Sequence, residues 1–170
     1  GFGVRYGDRL SSVLTIDLKD GREEGWGGKA TIAATQFGFS MEGPIDERGS
    51  VIFSARRSYL DLIFKAAGFG FVPEYWDFLG RATYRLDRYN RLSVLGVAVI
   101  DNVRYFNDTA DQRFDNSQVQ GSDQRQYVGG VSWQHVFTHG FLTTALGRTS
   151  VDYVTLQRDS LLNPIFSNAS

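Results

Sequence analysis

The chain has 170 residues, of which 42% are hydrophobic and 22% charged, values that lie within the range of an ordinary single domain. Its 18 basic and 19 acidic residues give a formal net charge of -1, so no large field of one sign favours nucleic acid as a partner. It contains no cysteine, which excludes a disulfide framework, thiol catalysis and zinc sites built on thiolates. No apolar run approaches the roughly 20 residues of a membrane-spanning helix.

Strand patterns recur along the chain, whereas few windows keep apolar residues at the helical spacing. The predicted strands, in chain order, are Ser11 to Lys19, Trp26 to Ala34, Phe37 to Ile45, Val51 to about Phe64, Asp77 to Asp87, Leu92 to about Phe106, Tyr127 to Phe137 and Phe141 to about Thr155. The first is separated from the others by a charged, glycine-rich stretch, 22–28. The sequence therefore predicts an all-β protein in which about seven long strands form an antiparallel meander.

Most of these strands alternate apolar with small or polar residues. This period is typical of a half-buried sheet in water and also of a membrane barrel, whose apolar face contacts lipid and whose polar face lines a wet lumen. Alternation alone does not choose between them. Strand length, small residues on the faces and aromatic residues near the strand ends favour the membrane barrel.

The connections between the strands are asymmetric. Short turns at 46–50, 88–91 and 138–140 alternate with long polar excursions after Phe64 and Asn107, as in outer-membrane barrels. The pair Thr35-Gln36 is an exception, since it would be a very short turn on the long-loop side. The chain opens without an initiating methionine, and Ile165 to Ser170 is predicted to be a loop-like tail, so we expect a fragment.

Two stretches of the chain resemble TonB-dependent outer-membrane receptors. The run from Tyr6 to Ile16 is similar to the end of their plug domain, in a motif formed by Tyr6, Gly7, Arg9 and Ser11. Leu18 departs from that pattern, where many members have threonine. The run Gly43-Pro44-Ile45, a charged turn and then Ser54 to Asp61 resembles the first barrel hairpins of the same family.

The resemblance implies that residues 1–24 end the plug domain and that residues 25–170 are the first strands of a transmembrane β-barrel of about 22 strands. It implies a bacterial cell outer membrane location and TonB-dependent active transport of a scarce nutrient, of the siderophore, cobalamin or glycan class. The partners would be the TonB energy-transducing complex, outer-membrane lipid and a small extracellular nutrient. Turns 46–50, 88–91 and 138–140 would be periplasmic, and 65–76, 108–126 and 158 onward extracellular. No enzyme activity, cofactor or metal is expected.

Charged residues within the strands are predicted to face the lumen, because an unpaired charge facing lipid near the midplane would cost roughly 2 to 4 kcal/mol. These candidates are Arg56, Arg81, Arg85, Arg148 and Glu42. They would contact the plug or a passing ligand, or form ion pairs within the wall and to the plug. The predicted loop at 65–76 is aromatic, and its residues Phe69, Phe71, Tyr75 and Trp76 would stack on a ligand or fold back on the rim.

Two other classes of protein fit the same alternation. One is a small structural or adhesive outer-membrane β-barrel of about eight strands, which needs a closing strand after Asn163. The other is a soluble lipocalin-like binding module.

Overall fold

The computed structural model describes residues 16–170, which form one antiparallel sheet of eight strands that does not close into a barrel. The strands are β1 (Gly27–Ile32), β2 (Gln36–Asp46), β3 (Gly49–Ser58), β4 (Phe71–Arg85), β5 (Asn90–Tyr105), β6 (Gly121–Phe137), β7 (Gly140–Arg158) and β8 (Pro164–Ala169). Each strand pairs with its neighbours in the chain, so the order across the sheet is the order in the sequence. The predicted all-β antiparallel meander is confirmed.

Two short helices lie in segments that the sequence analysis did not predict to be helical, α1 (Leu60–Ala66) and α2 (Ala110–Ser117). The prediction that β3 continues to Phe64 is wrong, because the chain leaves the sheet after Ser58 and turns into α1. Asp61 and Lys65 lie in the first and last turns of α1, where each charge suits the helix dipole. Thr109 and Gln112 form a capping box that starts α2.

Three further strand boundaries differ from the prediction, the first being the start of β6, which lies at Gly121 and not at Tyr127. β4 begins at Phe71, six positions before the predicted start at Asp77, and includes Pro73. This proline is tolerated because pairing with β3 ends at Trp76, so Pro73 has a strand neighbour only on the β5 side. The tail predicted to be a loop contains β8, which pairs with β7 along the edge of the sheet.

The predicted plug strand, Ser11 to Lys19, falls mostly outside the described residues. Its described part, 16–19, is not a strand. The segment 16–26, here called the N-terminal segment, crosses one face of the sheet instead of pairing with a strand edge. The carbonyl of Leu18, for example, accepts a hydrogen bond from the Arg81 side chain and not from a neighbouring strand.

The meander places successive connections at alternate ends of the sheet. The connections 47–48, 86–89 and 138–139 lie at one end, the short-turn rim. The other end, the long-loop rim, carries connections 33–35, 59–70, 106–120 and 159–163. The predicted asymmetry therefore holds for two connections at the long-loop rim, which contain α1 and α2. The connection 33–35 is short, as expected from the exception at Thr35-Gln36. The connection 159–163 is short because β8 begins soon after β7 ends.

The register gives the sheet two chemically different faces. The apolar face carries large hydrophobic side chains from six strands, among them Phe37, Phe39, Phe53, Trp76, Phe78, Leu92, Val94, Val131, Trp133 and Leu146. The polar face carries Ser40, Glu42, Ser54, Arg56, Arg81, Thr83, Arg85, Arg91, Ser132 and Gln134, with apolar residues such as Leu79, Leu95, Val97 and Val128 between them. The N-terminal segment lies on the polar face, and within residues 16–170 the apolar face is open except near the long-loop rim, where Val72 and Glu74 are buried.

The sheet consequently has almost no hydrophobic core. Of the described residues, Val72 is the only buried hydrophobic side chain, at 1% exposure. On the apolar face Phe39 stays 46% exposed and Leu146 80% exposed. A single-layer sheet with one exposed apolar face lacks the burial that stabilises a domain in water.

Aromatic rings cover glycines in neighbouring strands near the rims. Trp26 lies over Gly43 and Tyr84 over Gly49, so that a Cβ at either glycine would collide with the ring. Tyr105 lies against Gly121 at the long-loop rim in the same way. Each ring fills space that a side chain on the partner strand would otherwise occupy, and so stabilises the pairing there.

Candidate functional site

The contact between the N-terminal segment and the polar face is the most highly connected polar site in the described chain. Gly21 packs directly on the backbone of Val51, at a point where the Val51 side chain points to the apolar face. A Cβ at Gly21 would collide with the Val51 carbonyl oxygen. The segment therefore approaches the sheet as closely as two backbones allow, and its neighbouring side chains reach the polar face.

Asp20 is the centre of this contact. Its carboxylate accepts a hydrogen bond of 3.1 Å from the Thr83 hydroxyl and forms ion pairs with Arg81, at 3.1 Å, and with Arg91. Arg81 and Thr83 share a face because they lie two residues apart on β4, and Arg91 joins them from the adjacent strand β5. Arg81 also donates to the Leu18 carbonyl at 2.6 Å. One carboxylate thus joins the segment to two strands.

The electrostatics of the site favour the ionised form of Asp20. Partial burial acts to raise the pKa of this carboxyl. The hydrogen bonds from Arg91 and Thr83, together with the positive charges of Arg91 and Arg81, outweigh burial, so the pKa of Asp20 is lowered. The carboxylate is therefore charged at neutral pH and holds both guanidinium groups.

Two outer ion pairs flank Asp20. Glu23 pairs with Arg85 at 3.0 Å, and Arg85 also donates to the Glu47 carbonyl at 2.9 Å. Lys19 pairs with Glu42 at 2.9 Å. These pairs have exposed members and contribute little individually, but they lie on either side of Asp20 along the segment. Three predicted lumenal residues, Arg81, Arg85 and Glu42, therefore meet at the N-terminal segment.

The remaining two predicted lumenal residues lie elsewhere. Arg56 pairs with Asp77 at 2.7 Å, directly across the ladder between β3 and β4 on the polar face. The prediction is wrong for Arg148, which pairs opposite Gly129 and lies on the apolar face. The reason is the tight turn that pairs Phe137 with Gly140, since it determines which face of β7 each residue occupies.

A shallow groove of about 480 Å³ adjoins Arg56 on the polar face. Its polar lining comes from Lys29, Ser40, Ser54 and Asp77 in addition to Arg56. The groove lies toward the long-loop rim from Asp20, and its lining also includes the apolar Leu79, Val97 and Val99, so the surface beyond the N-terminal segment is of mixed polarity.

The four aromatic residues predicted in the loop 65–76 are separated by the structure. Only Phe69 lies in a connection, and its ring packs against Phe64 at 5.0 Å between centroids and against Phe71 at 6.1 Å. Phe71, Tyr75 and Trp76 belong to β4. The Tyr75 hydroxyl donates to the Gln36 side chain, and Trp76 stacks on Phe78 at 5.9 Å. The prediction of a loop over 65–76 is therefore wrong for the three residues of β4, and the two expectations for the aromatic side chains, stacking on a ligand or folding back on the rim, stay predictions.

One polar cluster had no counterpart in the sequence analysis. Glu74 is buried on the apolar face near the long-loop rim, where it pairs with Arg104 at 2.6 Å and Arg57 at 3.3 Å and accepts from the Trp76 indole at 3.2 Å. Arg57 also pairs with Asp61 at 3.3 Å. The sequence signal was an acidic residue between Pro73 and Tyr75 in an otherwise apolar and aromatic stretch, and the cluster ties α1 to three strands.

The motif residues Tyr6, Gly7, Arg9 and Ser11 lie outside the described residues. Within residues 16–170, no group of three acidic or histidine side chains is placed to hold a metal ion. Neither α1 nor α2 has the length and hydropathy of a membrane-spanning helix. Comparison of the chain with models of known families, with curated proteins and with solved structures finds no match.

Proposed function

We propose that this chain is the junction between the plug and the barrel of a TonB-dependent outer-membrane receptor. In this proposal residues up to about 24 end the plug, and the sheet is the beginning of a wall of about 22 strands. The whole protein would take up a siderophore, cobalamin or glycan across the bacterial outer membrane, driven by the TonB complex. The contrast between the two faces of the sheet carries the proposal.

In a barrel wall, the apolar face contacts lipid hydrocarbon and the opposite face contacts the lumen. Contact with lipid explains why large side chains such as Phe37, Phe39 and Phe53 remain exposed in the isolated sheet. The charged N-terminal segment lies on the polar face through Asp20, as a plug inside the lumen would. Trp26 and Tyr84, which cover glycines near the short-turn rim, suit a membrane interface.

Arg148 and Asp152 on β7, with Arg125 on β6, fit this proposal least simply, because all three lie on the apolar face. A long arginine side chain can extend along a surface until its guanidinium reaches a polar region. The proposal therefore requires that the Arg148 guanidinium lie at the headgroups or against polar groups of a neighbouring strand, since facing hydrocarbon at the midplane would cost roughly 2 to 4 kcal/mol.

The two alternative classes of protein make different demands. A small closed barrel requires a strand after Asn163, which β8 supplies, but it also requires that β1 and β8 pair, whereas among the described residues these are the two edge strands. A lipocalin-like module in water would cover its apolar face, whereas Phe39 and Leu146 on that face are exposed. The receptor proposal accounts for both open edges as positions for further strands.

The two faces can be tested directly with introduced cysteines, since residues 1–170 contain none of their own and any cysteine elsewhere in the complete protein is first replaced by serine. The complete protein is reconstituted in lipid vesicles with an environment-sensitive dye at one of four positions. Phe53→Cys and Val131→Cys report the apolar face, and their chain neighbours Ser54→Cys and Ser132→Cys report the polar face. Lipids with brominated acyl chains should quench the first pair and not the second.

Equal quenching at neighbouring positions, or no quenching at any of the four, would contradict a membrane-spanning wall. Transport is measured separately in a bacterium that makes the complete protein, with labelled ferric siderophore, cobalamin and oligosaccharide as substrates. Uptake of one of them should require this protein and stop when the TonB complex is deleted. Uptake that survives that deletion would refute the transport class while leaving the membrane topology intact.

A further inference from the structure

A cavity of about 310 Å³ lies at the long-loop rim, apart from the Asp20 contact. It is enclosed by α2, the ends of β5, β6 and β7, and the connection 159–163. One side of the lining is apolar and includes Val119, Leu156 and Leu162. Another side is polar and includes Tyr105, Arg113 and Arg158. The volume and the mixed lining are those of a small-molecule site and not of a packing defect.

The charged groups of this cavity differ in how many of their hydrogen-bonding atoms have protein partners. Arg113 donates to the Asn107 carbonyl at 3.0 Å, which fixes the guanidinium and leaves most of its donors unused. Neither Arg113 nor Arg158 forms an ion pair with a carboxylate among residues 16–170. The two guanidinium groups that line this cavity therefore keep unused donors of the kind that bind a carboxylate through paired hydrogen bonds.

The two acidic residues of the lining are already engaged by protein donors. Asp123 accepts a hydrogen bond of 3.0 Å from the backbone of Val103. Asp159 accepts from the backbone of Leu161 at 2.9 Å and from both the backbone and the side chain of Asn163, at 2.8 and 3.1 Å. Their oxygens bond to the walls of the cavity, so its spare hydrogen-bonding capacity consists of the donors of Arg113 and Arg158 and one acceptor, the buried Asn116 Oδ1, which has no partner among the described residues.

Tyr105 adds a further unused donor. Its hydroxyl is buried and has no hydrogen-bond partner among the described residues. The ring packs against Gly121, where no side chain competes for the space. A buried hydroxyl without a partner is destabilising unless something else accepts its hydrogen bond, and a bound anion would do so.

The apolar side is formed by a strained turn. Leu162 has a φ of 71°, in the left-handed region that non-glycine residues rarely adopt. The turn is held by a hydrogen bond of 2.9 Å from the Leu162 backbone to the Asp159 carbonyl and by the bonds to the Asp159 carboxylate. Such strain is often found at ligand sites. Here the turn that carries the strain places Leu162 in the cavity wall.

We propose that this cavity binds a small carboxylate with a hydrocarbon body. The carboxylate lies between Arg113 and Arg158 and accepts the hydrogen bond of Tyr105, and the hydrocarbon contacts Val119, Leu156 and Leu162. The proposal concerns the long-loop rim alone and does not depend on transport or on the barrel having further strands.

The test is equilibrium dialysis of the full chain in lipid nanodiscs against labelled hexanoate, with empty nanodiscs to subtract partitioning into lipid. Hexan-1-ol is the neutral probe of the same length. Hexanoate should bind saturably and hexanol at least tenfold more weakly. Arg158→Gln and Arg113→Gln should each weaken hexanoate binding by about tenfold. Arg158 is exposed, so its replacement does not endanger folding.

Arg125→Gln is the matched control, since it removes the same charge from an exposed position of β6 outside the cavity. It should leave hexanoate affinity unchanged. Leu156→Trp should abolish binding of both probes by filling the cavity. The proposal is overturned if hexanol binds as well as hexanoate, if Arg125→Gln weakens binding as much as Arg158→Gln, or if no saturable binding is found.

Discussion

Replacing Asp20 with asparagine isolates the charge that holds the N-terminal segment on the sheet. Asparagine has the same shape and can still accept the hydrogen bond from Thr83. It removes both ion pairs, however, and leaves Arg81 with the Leu18 carbonyl as its contact to the segment. We expect Asp20→Asn to weaken docking of residues 16–26 without disturbing the strands.

The expected loss of docking free energy follows from how exposed the side chains of Asp20 and its two arginine partners are. Asp20 is 34% exposed, Arg81 23% and Arg91 42%, so the cluster is neither a surface pair nor a buried one. Exposed pairs contribute about 0 to 1 kcal/mol, and breaking a fully buried pair costs about 3 to 5 kcal/mol. A loss of about 1 to 2 kcal/mol is expected, which raises the undocked population roughly 5- to 30-fold.

Hydrogen exchange of a peptide spanning 17–26 measures that population. Exchange should accelerate about 5- to 30-fold in Asp20→Asn, while peptides from β4 and β5 keep their rates. Asp17→Asn is the matched control, because Asp17 is exposed and makes no ion pair within the described chain. Unchanged exchange in Asp20→Asn, or equal acceleration in both variants, would refute the role assigned to this carboxylate.

Three further outcomes follow from the same structure. Because the pKa of Asp20 is lower when docked than its ordinary value of 3.8, docking is strongest above that value and is lost as the pH falls through the lowered pKa. The anisotropy of a dye on Glu24→Cys should therefore stay constant from about pH 7 to 5 and drop below about pH 4, and the drop should be absent when Asp20→Asn is added. Gly21→Ala should release the segment at a cost of about 1 to 3 kcal/mol through collision with the sheet, seen as faster exchange of 17–26; Gly28→Ala, where a Cβ makes only an ordinary contact of 3.4 Å, should not. Thr109→Ala should destabilise α2 by about 1 kcal/mol by removing its capping box, seen as faster exchange of residues 110–117 with unchanged rates in β6.

The strands were predictable because their signal is local. Alternation such as Phe37, Phe39 and Met41 against small or polar neighbours depends only on the two-residue period of an extended chain. β4 was predicted too short because Pro73 normally argues against a strand. Its place in β4 depends on where β3 ends, which is a property of the partner strand.

The polar face was predictable only in part. Which residues of one strand share a face follows from the two-residue period of that strand, but which faces of two strands coincide depends on how the strands pair. Arg81 and Arg85 were grouped correctly from the pattern of β4 alone. Arg148 was not, since its face depends on the tight turn between β6 and β7. Asp20 was missed as a site residue because its partners Arg81 and Arg91 lie far away in the chain, at a separation of 71 residues for Arg91.

The neighbour-to-neighbour pairing of the strands has a consequence for how the protein folds. Each ladder closes only the loop between consecutive strands, so the sheet can grow one hairpin at a time at a small entropic cost per step. The Asp20 contact is different, because both β4 and β5 must be in place before its two arginines can meet. Docking of Asp20 therefore reports that β4 and β5 have paired in register.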